Sequence, residues 1–159
     1  VAHPLEETVV DLADYVAEWK WDGIRVQLVH AGGETRVYSR SGDDISGTFP
    51  ELIPALDFPA VLDGELLVRG ATQGGEAGGA ASFNALQQRL GRKVVSKAML
   101  RDYPAFVRLY DVLLLDGEDL RALPWCERRA RLEALMSRLP TGHFDLSAVV
   151  EAEHFEHLA

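Results

Sequence analysis

The sequence predicts an α+β fold in which mostly antiparallel sheets are flanked by helices. Three observations support this fold class: an alternating apolar and polar run at 24–29, a glycine pair at 32–33 between two β-rich runs, and long apolar runs at 60–68 and 106–115. Alternation is typical of a half-buried strand, and a glycine pair between two such runs is typical of a hairpin. Residues 60–68 are nearly continuously apolar except at 63–65, which predicts a strand.

The first third of the chain is expected to contain a lead-in segment, a hairpin and a short helix. Residues 1–14 carry several acidic groups and are expected to pack on the edge of a sheet. Strands at 24–29 and 35–40 form the predicted hairpin. Thr48 and Glu51 have the spacing of a capping box, which predicts a short helix that runs through Leu56.

A glycine-rich segment lies in the middle of the chain. Residues 69–81 hold five of the 14 glycines and few large apolar side chains. Such a segment buries too little apolar surface to offset the entropy of ordering it, which predicts a flexible surface loop. No Gly-Lys-Ser or Gly-Lys-Thr follows, so the pattern argues against a P-loop.

The second half of the chain alternates between helices and strands. A helix is predicted at 82–90, a strand at 106–115 that ends in a turn at 116–118, and a helix at 124–139. The last helix has apolar residues at core spacing, namely Leu132, Leu135, Met136 and Leu139. A final strand is expected near 148–150.

Size and composition indicate one domain or a piece of one, because the chain has 159 residues and 47% hydrophobic content. No apolar run approaches the roughly 20 residues of a membrane helix, and the N-terminus lacks a signal-peptide pattern. We therefore expect a cytoplasmic protein without membrane contact, and we separately expect a monomer. Cys126 is the only cysteine, which excludes an internal disulfide and a cysteine zinc site. Its helical spacing from Leu132 predicts a structural thiol.

The net charge of −9 argues against a protein whose main function is to bind nucleic-acid phosphates, since that binding depends on clustered Lys and Arg. A local basic pocket formed by Lys20, Arg25 and Arg40 inside an acidic shell would reconcile this charge with phosphate chemistry. Surface solubilisation alone is equally compatible with the composition.

Lys20 is a candidate nucleophile because it lies between two carboxylates, Glu18 and Asp22. In an extended chain alternate side chains share a face, so these three groups would project together just before a turn at Gly23. A surface lysine on a strand is the alternative interpretation of this residue.

The pattern Lys20-x-Asp22-Gly23-x-Arg25 resembles motif I of the covalent nucleotidyltransferases, which are ATP-dependent DNA ligases, RNA ligases and mRNA capping enzymes. Segments 38–42, 62–66 and 108–113 resemble motifs Ia, III and IIIa of the ATP-dependent DNA ligases in the same order, and 82–89 resembles the segment that joins the last two. The resemblance implies an ATP-grasp-like nucleotidyltransferase (adenylation) fold, incomplete at its C-terminal side.

The reaction that this resemblance implies begins with attack of Lys20 on the α-phosphate of ATP, which leaves AMP on the lysine. AMP then passes to the 5'-phosphate of a DNA nick, and a 3'-hydroxyl displaces it. Lys20, Asp22 and Arg25 form the implied catalytic set. Attack requires a neutral amine, which nearby positive charge from Arg25, Arg40 and Mg²⁺ favours.

The resemblance also implies a nucleotide-binding set: Glu18, Trp19, Lys20, Arg25, Arg40, Glu65 and Tyr110. Glu18 would contact adenine, Tyr110 would stack on the purine, and Glu65 would bind the ribose and lie near the Mg²⁺ ion. Arg25 would hold the ribose or the phosphates, and Arg40 would face the AMP phosphate or the nick.

Four of these site residues have a simpler alternative interpretation. Glu18 could form only an ion pair with Lys20, and Asp22 could cap the turn before Gly23. Arg25 could be a solvated strand arginine, and Tyr110 could be a core aromatic residue.

No segment after 150 resembles motif IV or motif V, and no OB-fold domain or basic DNA-binding domain is visible. We therefore expect residues 1–159 to be a partial adenylation domain that is poorly active alone, with nicked double-stranded DNA bound mainly by domains outside the chain. An RNA ligase, a capping guanylyltransferase and a non-catalytic nucleotide-binding fragment remain alternatives. The Phe-x-x-Leu-x-x-Arg segment and the Leu-Tyr-Asp form of the last motif favour a DNA ligase.

Overall fold

A computed structural model describes residues 14–69, 83–90, 92 and 94–150. The chain divides into two compact units, one formed by Val1–Lys20 and Ser147–Ala159 and the other by Trp21–Leu146. The expectations for the lead-in segment and for the glycine-rich loop fall almost entirely outside the described residues. In the described part of the chain, no helix is long and apolar enough to cross a bilayer.

The larger unit contains a mostly antiparallel sheet that confirms the predicted fold class. Its strands, within the described residues, are β2 (Ile24–Ala31), β3 (Glu34–Ser39), β4 (Ala60–Val68), β5 (Ala105–Leu115), β6 (Glu118–Asp119) and β7 (Phe144–Leu146). They lie in the order β3-β2-β4-β5-β6, and β7 pairs with β5 in parallel. The helices are α1 (Phe83–Gln87), α2 (Lys97–Asp102) and α3 (Trp125–Leu135).

The hairpin of β2 and β3 is confirmed. Gly32 and Gly33 have φ angles of 61° and 81°, which side chains with a Cβ rarely adopt. Two consecutive positive φ values suit the tight turn that matches the twist of the two strands. The pairing that follows places Val26 opposite Ser39 and Ala31 opposite Glu34.

One face of this sheet carries the hydrophobic core. Val26, Leu28, Leu62 and Leu66 are at most 1% exposed, and burial of each such side chain stabilises the fold by about 1.5–3 kcal/mol. The core is completed by residues from the predicted last helix, namely Leu132, Leu135 and Leu139. In the structure α3 spans Trp125–Leu135 and continues as a 3₁₀ turn over Met136–Arg138. Cys126 is exposed on it, so the predicted structural thiol is wrong.

The predicted capping box is wrong. Residues 46–52 form two 3₁₀ turns, and no side chain caps the turn that begins at Pro50. Glu51 instead accepts two hydrogen bonds from Arg89, at 2.7 and 2.9 Å, and one from the backbone N–H of Ala105. The Glu51 carboxylate, which the local pattern assigned to a helix cap, therefore forms a long-range ion pair with Arg89 instead.

The pairing of β4 with β5 contains two irregularities that the sequence pattern does not predict. Asp63 lies opposite Asp111 while Gly64 lies opposite Leu109, so Tyr110 has no partner on β4. A second irregularity skips Leu113. An extra residue of this kind bends a strand and redirects its side chains.

In the smaller unit, β1 (Ala17–Glu18) pairs antiparallel with β8 (Val149–Val150). β8 is the predicted final strand. The expected extended segment from Glu18 to Asp22 is shorter than predicted, because β1 ends at Glu18 and the backbone from 19 to 23 is irregular.

Candidate functional site

The polar face of the sheet in the larger unit is the candidate site. Arg25 pairs with Glu65 and Gln27 pairs with Asp63 in the register of β2 and β4. Side chains alternate along a strand, so residues between the core positions point to the opposite face. The sheet therefore separates an apolar core from a face that carries these four polar groups.

Asp63 is the buried acid of this face. It is 3% exposed and accepts a hydrogen bond from Arg25 Nε at 3.0 Å, with a second from Arg25 Nη2 to its other oxygen. The hydrogen bond to Asp63 raises the pKa of the Arg25 guanidinium, so this cation stays charged. A buried carboxylate is costly without such a partner.

The sequence analysis named Glu65 as the ribose-binding acid of β4 and did not single out Asp63. Glu65 is only partly buried, and the buried acid is Asp63. The available signal was an acid within the apolar run 60–68 that could pair with a basic residue on the neighbouring strand.

Glu65 holds the turn that precedes β2. Its Oε1 accepts a hydrogen bond from the backbone N–H of Gly23 at 3.2 Å. A Cβ at Gly23 would lie 2.4 Å from the carbonyl oxygen of Leu66 and 2.8 Å from Leu67 Cδ2. Only glycine therefore lets this turn lie directly against β4.

Tyr110, which has no partner on β4, lies beside Asp63. Burial raises the pKa of its phenol, and the negative charge of Asp63 acts in the same direction. Both effects disfavour the phenolate. The ring is thus a neutral, partly buried aromatic surface at the charged face.

Asp111, the neighbour of Tyr110, is fixed by α3. Arg128 donates from Nε and Nη2 to the two carboxylate oxygens of Asp111, each at 2.9 Å, and from Nη1 to the carbonyl of Leu123 at 2.6 Å. This two-point contact orients the strand segment that carries Tyr110. Sequence reasoning did not identify Arg128, because nothing local distinguishes it from the other helix arginines.

A cleft of about 380 Å³ opens beside Arg25. Its polar lining includes Arg25, Gln27, Tyr38, Ser39 and Arg40. Two arginines at one cleft, together with hydroxyl groups, form a suitable environment for an anionic group such as a phosphate.

The larger unit therefore brings three of the predicted residues together around Asp63, namely Arg25, Glu65 and Tyr110. Arg40 lines the cleft with Arg25, and Asp22 is exposed. In the smaller unit, Glu18, Trp19 and Lys20 are all exposed.

A metal held by protein ligands alone is not supported by the described residues, which contain no group of three or more His, Cys, Asp or Glu side chains placed to bind one. Mg²⁺ is usually held by one or two carboxylates together with substrate phosphates and water. Glu65 fits the carboxylate part of such a site.

The ionisation of Tyr110 gives a testable prediction for alkaline pH. Because its pKa is raised in the folded state, stability from the neutral phenol is fully present below about pH 10, the ordinary pKa of tyrosine, and falls as pH rises further. We expect the difference in unfolding free energy between the native chain and Tyr110→Phe to shrink from pH 8 towards pH 11. Urea titrations at several pH values measure it, and a difference independent of pH would contradict the assignment.

Several known proteins that are similar to this chain are described as DNA ligases. The family model described as ATP dependent DNA ligase domain matches residues 2–159. A probable DNA ligase of Koribacter versatilis is 38% identical over 139 residues, which is 86% of this chain and 23% of that protein. A DNA ligase of Pyrobaculum neutrophilum is 35% identical over 76% of this chain and 21% of that protein.

Two solved structures share the fold. The ligase domain of LigD from M. tuberculosis matches with a TM-score of 0.66 at 26% identity, over 89% of this chain and 42% of that one. A mycobacterial DNA ligase D complexed with ATP and MES matches with a TM-score of 0.65 at 27% identity, over the same shares of the two chains. The chain spans about a quarter of the length of the curated relatives it matches.

Proposed function

The chain belongs to the ATP-dependent DNA ligase domain family, and on this premise we propose that it provides the nucleotide-binding part of an enzyme that seals nicks in DNA. The observation that carries the proposal is the cluster of Arg25, Glu65 and Tyr110 around Asp63, together with the Lys20-x-Asp22-Gly23 sequence that precedes Arg25 in the chain. It combines a cation, an acceptor and an aromatic surface, which are the groups that phosphate, ribose and purine require.

The proposed first step is transfer of AMP to Lys20. The bond from Lys20 Nζ to the α-phosphorus of ATP forms as the bond from that phosphorus to the oxygen leading to the β-phosphate breaks. Pyrophosphate leaves, and the amine loses a proton to the surrounding water. Formation of a covalent intermediate divides a difficult joining reaction into easier displacements.

The proposed roles of the other residues follow from their chemistry. Arg25 and Arg40 would bind phosphate oxygens at their shared cleft, and Asp22 would orient the lysine. Tyr110 would stack on adenine, which Glu18 and Trp19 would also contact, while Glu65 would accept hydrogen bonds from the ribose hydroxyls. Mg²⁺ would enter with ATP and supply charge neutralisation at the phosphates, with Glu65 as the proposed protein ligand.

The later steps complete the proposal. AMP would pass from Lys20 to the 5'-phosphate at a nick in double-stranded DNA, and the 3'-hydroxyl would then displace AMP and close the strand. We propose that the chain contributes motifs I to IIIa of the adenylation domain, in a monomeric cytoplasmic enzyme whose substrate is DNA.

The test is incubation with labelled nucleotide and Mg²⁺, followed by peptide mapping of the label. The chain and a chimera that continues it with the corresponding segment of a curated relative are both used. Acid-labile AMP on Lys20 from ATP, with no label from GTP, supports the proposal. Label from GTP would indicate capping chemistry, and no label in the chimera would indicate a non-catalytic nucleotide-binding chain.

The acidity of the chain leads to a prediction for DNA binding. The net charge is −9, with 16 basic against 25 acidic residues, and Arg25, Arg108 and Arg128 are each paired with a carboxylate. We expect weak binding of nicked DNA whose affinity falls by less than about tenfold between 50 and 200 mM salt, against about 10³–10⁵-fold for a protein with 6–10 phosphate contacts. Fluorescence anisotropy at several salt concentrations measures this slope, and tight, steeply salt-dependent binding would contradict the prediction.

A further inference from the structure

Arg108 lies on the polar face of the sheet and has no role in the reaction outlined above. It occupies β5 directly opposite Glu65 on β4 and beside Asp145 on β7. Its side chain is only 16% exposed. Burial of a charged side chain is costly unless the charge is paired, so the contacts of Arg108 indicate its role.

Asp145 fixes the plane of the Arg108 guanidinium. Nε donates to Oδ1 at 2.9 Å and Nη2 donates to Oδ2 at 2.7 Å. Two parallel hydrogen bonds to one carboxylate leave a planar group little rotational freedom. The backbone of Arg108 is also confined, because a Cβ at Gly64 would lie 2.7 Å from the Arg108 carbonyl oxygen.

The oriented guanidinium stacks on Trp21. Its Cζ lies 4.0 Å from the centre of the Trp21 ring system, well within the distance of a cation–π contact. Trp21 is the residue that directly follows Lys20 in the chain. Two residues later, Glu65 accepts the N–H of Gly23. The segment 21–23 is therefore held at both ends by two residues that face each other across β4 and β5.

We propose that Arg108 is a positioning residue for adenylylation: held by Asp145, it clamps the ring of Trp21, the residue to which Lys20 is bonded in the chain. This inference rests on the proposed function of Lys20. Arg108 does not touch the reacting atoms; it acts through Trp21. A nucleophile misplaced by about 1 Å can lose about 10²-fold in rate, so a clamp on the adjacent residue has a large kinetic effect.

Kinetics of AMP transfer to Lys20 test the proposal, in the chimera described above. We expect Arg108→Met to lower the rate constant at saturating ATP by about 10- to 100-fold, with the KM for ATP changed by less than about twofold. Arg108→Lys should not restore the rate, because an ammonium group cannot both pair in two-point fashion with Asp145 and stack on the ring. Arg121→Met is the matched control, since Arg121 also pairs with a carboxylate, Asp119, but is exposed.

Variants of Trp21 separate a clamp from a merely structural ion pair. Trp21→Leu should be as slow as Arg108→Met, the double variant should be no slower than either single variant by more than about threefold, and Trp21→Phe should retain most of the rate. Full activity of Arg108→Lys, or multiplication of the two effects in the double variant, would overturn the proposal.

Amide hydrogen exchange keeps this inference distinguishable from the proposed function. In the 159-residue chain, Arg108→Met should raise exchange in the peptide spanning 19–23 by about tenfold or more, and Arg121→Met should not. Unchanged exchange at 19–23 in Arg108→Met overturns the clamp whatever the enzyme does. Raised exchange in a chimera that never acquires AMP would instead reject the role of Lys20, and with it the catalytic purpose of the clamp.

Discussion

Replacement of Lys20 by Ala is expected to abolish the enzyme–AMP adduct while leaving the fold intact. The adduct cannot form without the amine, because no other group is proposed to attack the α-phosphate. Lys20 is exposed, and substitutions of exposed side chains usually change the free energy of unfolding by no more than about 0.5 kcal/mol. Intact-mass analysis of the chimera after incubation with ATP and Mg²⁺ measures the gain of one AMP.

Two further variants make this result specific. Lys20→Arg should also fail, since a guanidinium keeps its proton and offers no lone pair for attack. Lys97→Ala removes another exposed lysine, at the start of α2, and should leave adduct formation unchanged. Adduct in either Lys20 variant would show that the nucleophile lies elsewhere.

Replacement of Arg89 by Met is expected to cause the largest loss of stability. The Arg89 side chain is fully buried, donates twice to Glu51, and also donates to the carbonyl oxygens of Thr48 and Tyr103 at 2.7 and 2.8 Å. Removal of one partner of a buried pair leaves the other charge uncompensated, which costs about 3–5 kcal/mol. Methionine has a similar length, so the loss reflects the missing donors more than a cavity.

Urea titration gives the change in the free energy of unfolding for Arg89→Met. Arg101→Met is the matched control, because Arg101 pairs with Asp102 at the surface with 75% of its side chain exposed, and such pairs are worth at most about 1 kcal/mol. Addition of Glu51→Gln to Arg89→Met should recover part of the loss, since it removes the unpaired charge. Equal effects of the Arg89 and Arg101 variants would show that the buried pair contributes little.

The elements predicted from local patterns are close to those observed. The strand predicted at 60–68 is β4 with the same bounds, and the strand predicted at 106–115 is one residue longer in the structure. Both are long apolar runs, and apolar periodicity is a local property of the sequence. The 3₁₀ turns at 46–52 were missed because Glu51 pairs with Arg89, which lies 38 positions away, and a local sequence pattern cannot show such a pair.

The site was predictable in its residue types and less so in its contacts. The family pattern indicated Arg25, Glu65 and Tyr110, and the structure places them around one carboxylate. That carboxylate, Asp63, was not singled out, because its importance depends on the register of β2 against β4. Arg108 was not singled out either, because its partners Trp21 and Asp145 are far from it in the sequence and come near it only in the folded chain.

The two irregularities of β5 compensate each other: the first changes which residues of the strand face the core, and the second reverses that change. Core residues of β5 fall at Val107 and Leu109, then at Val112, so the spacing of two becomes three across Tyr110. Leu113 is skipped in the pairing with β4, so the core-facing positions return to the odd-numbered residues at Leu115, which packs against the core. Strict alternation would have turned the Asp111 carboxylate into the core. Deletion of one residue in this segment would therefore turn the side chains at one end of the strand to the opposite face of the sheet. Deletion of two residues would keep the side chains on their present faces, so we expect insertions and deletions here to come in pairs.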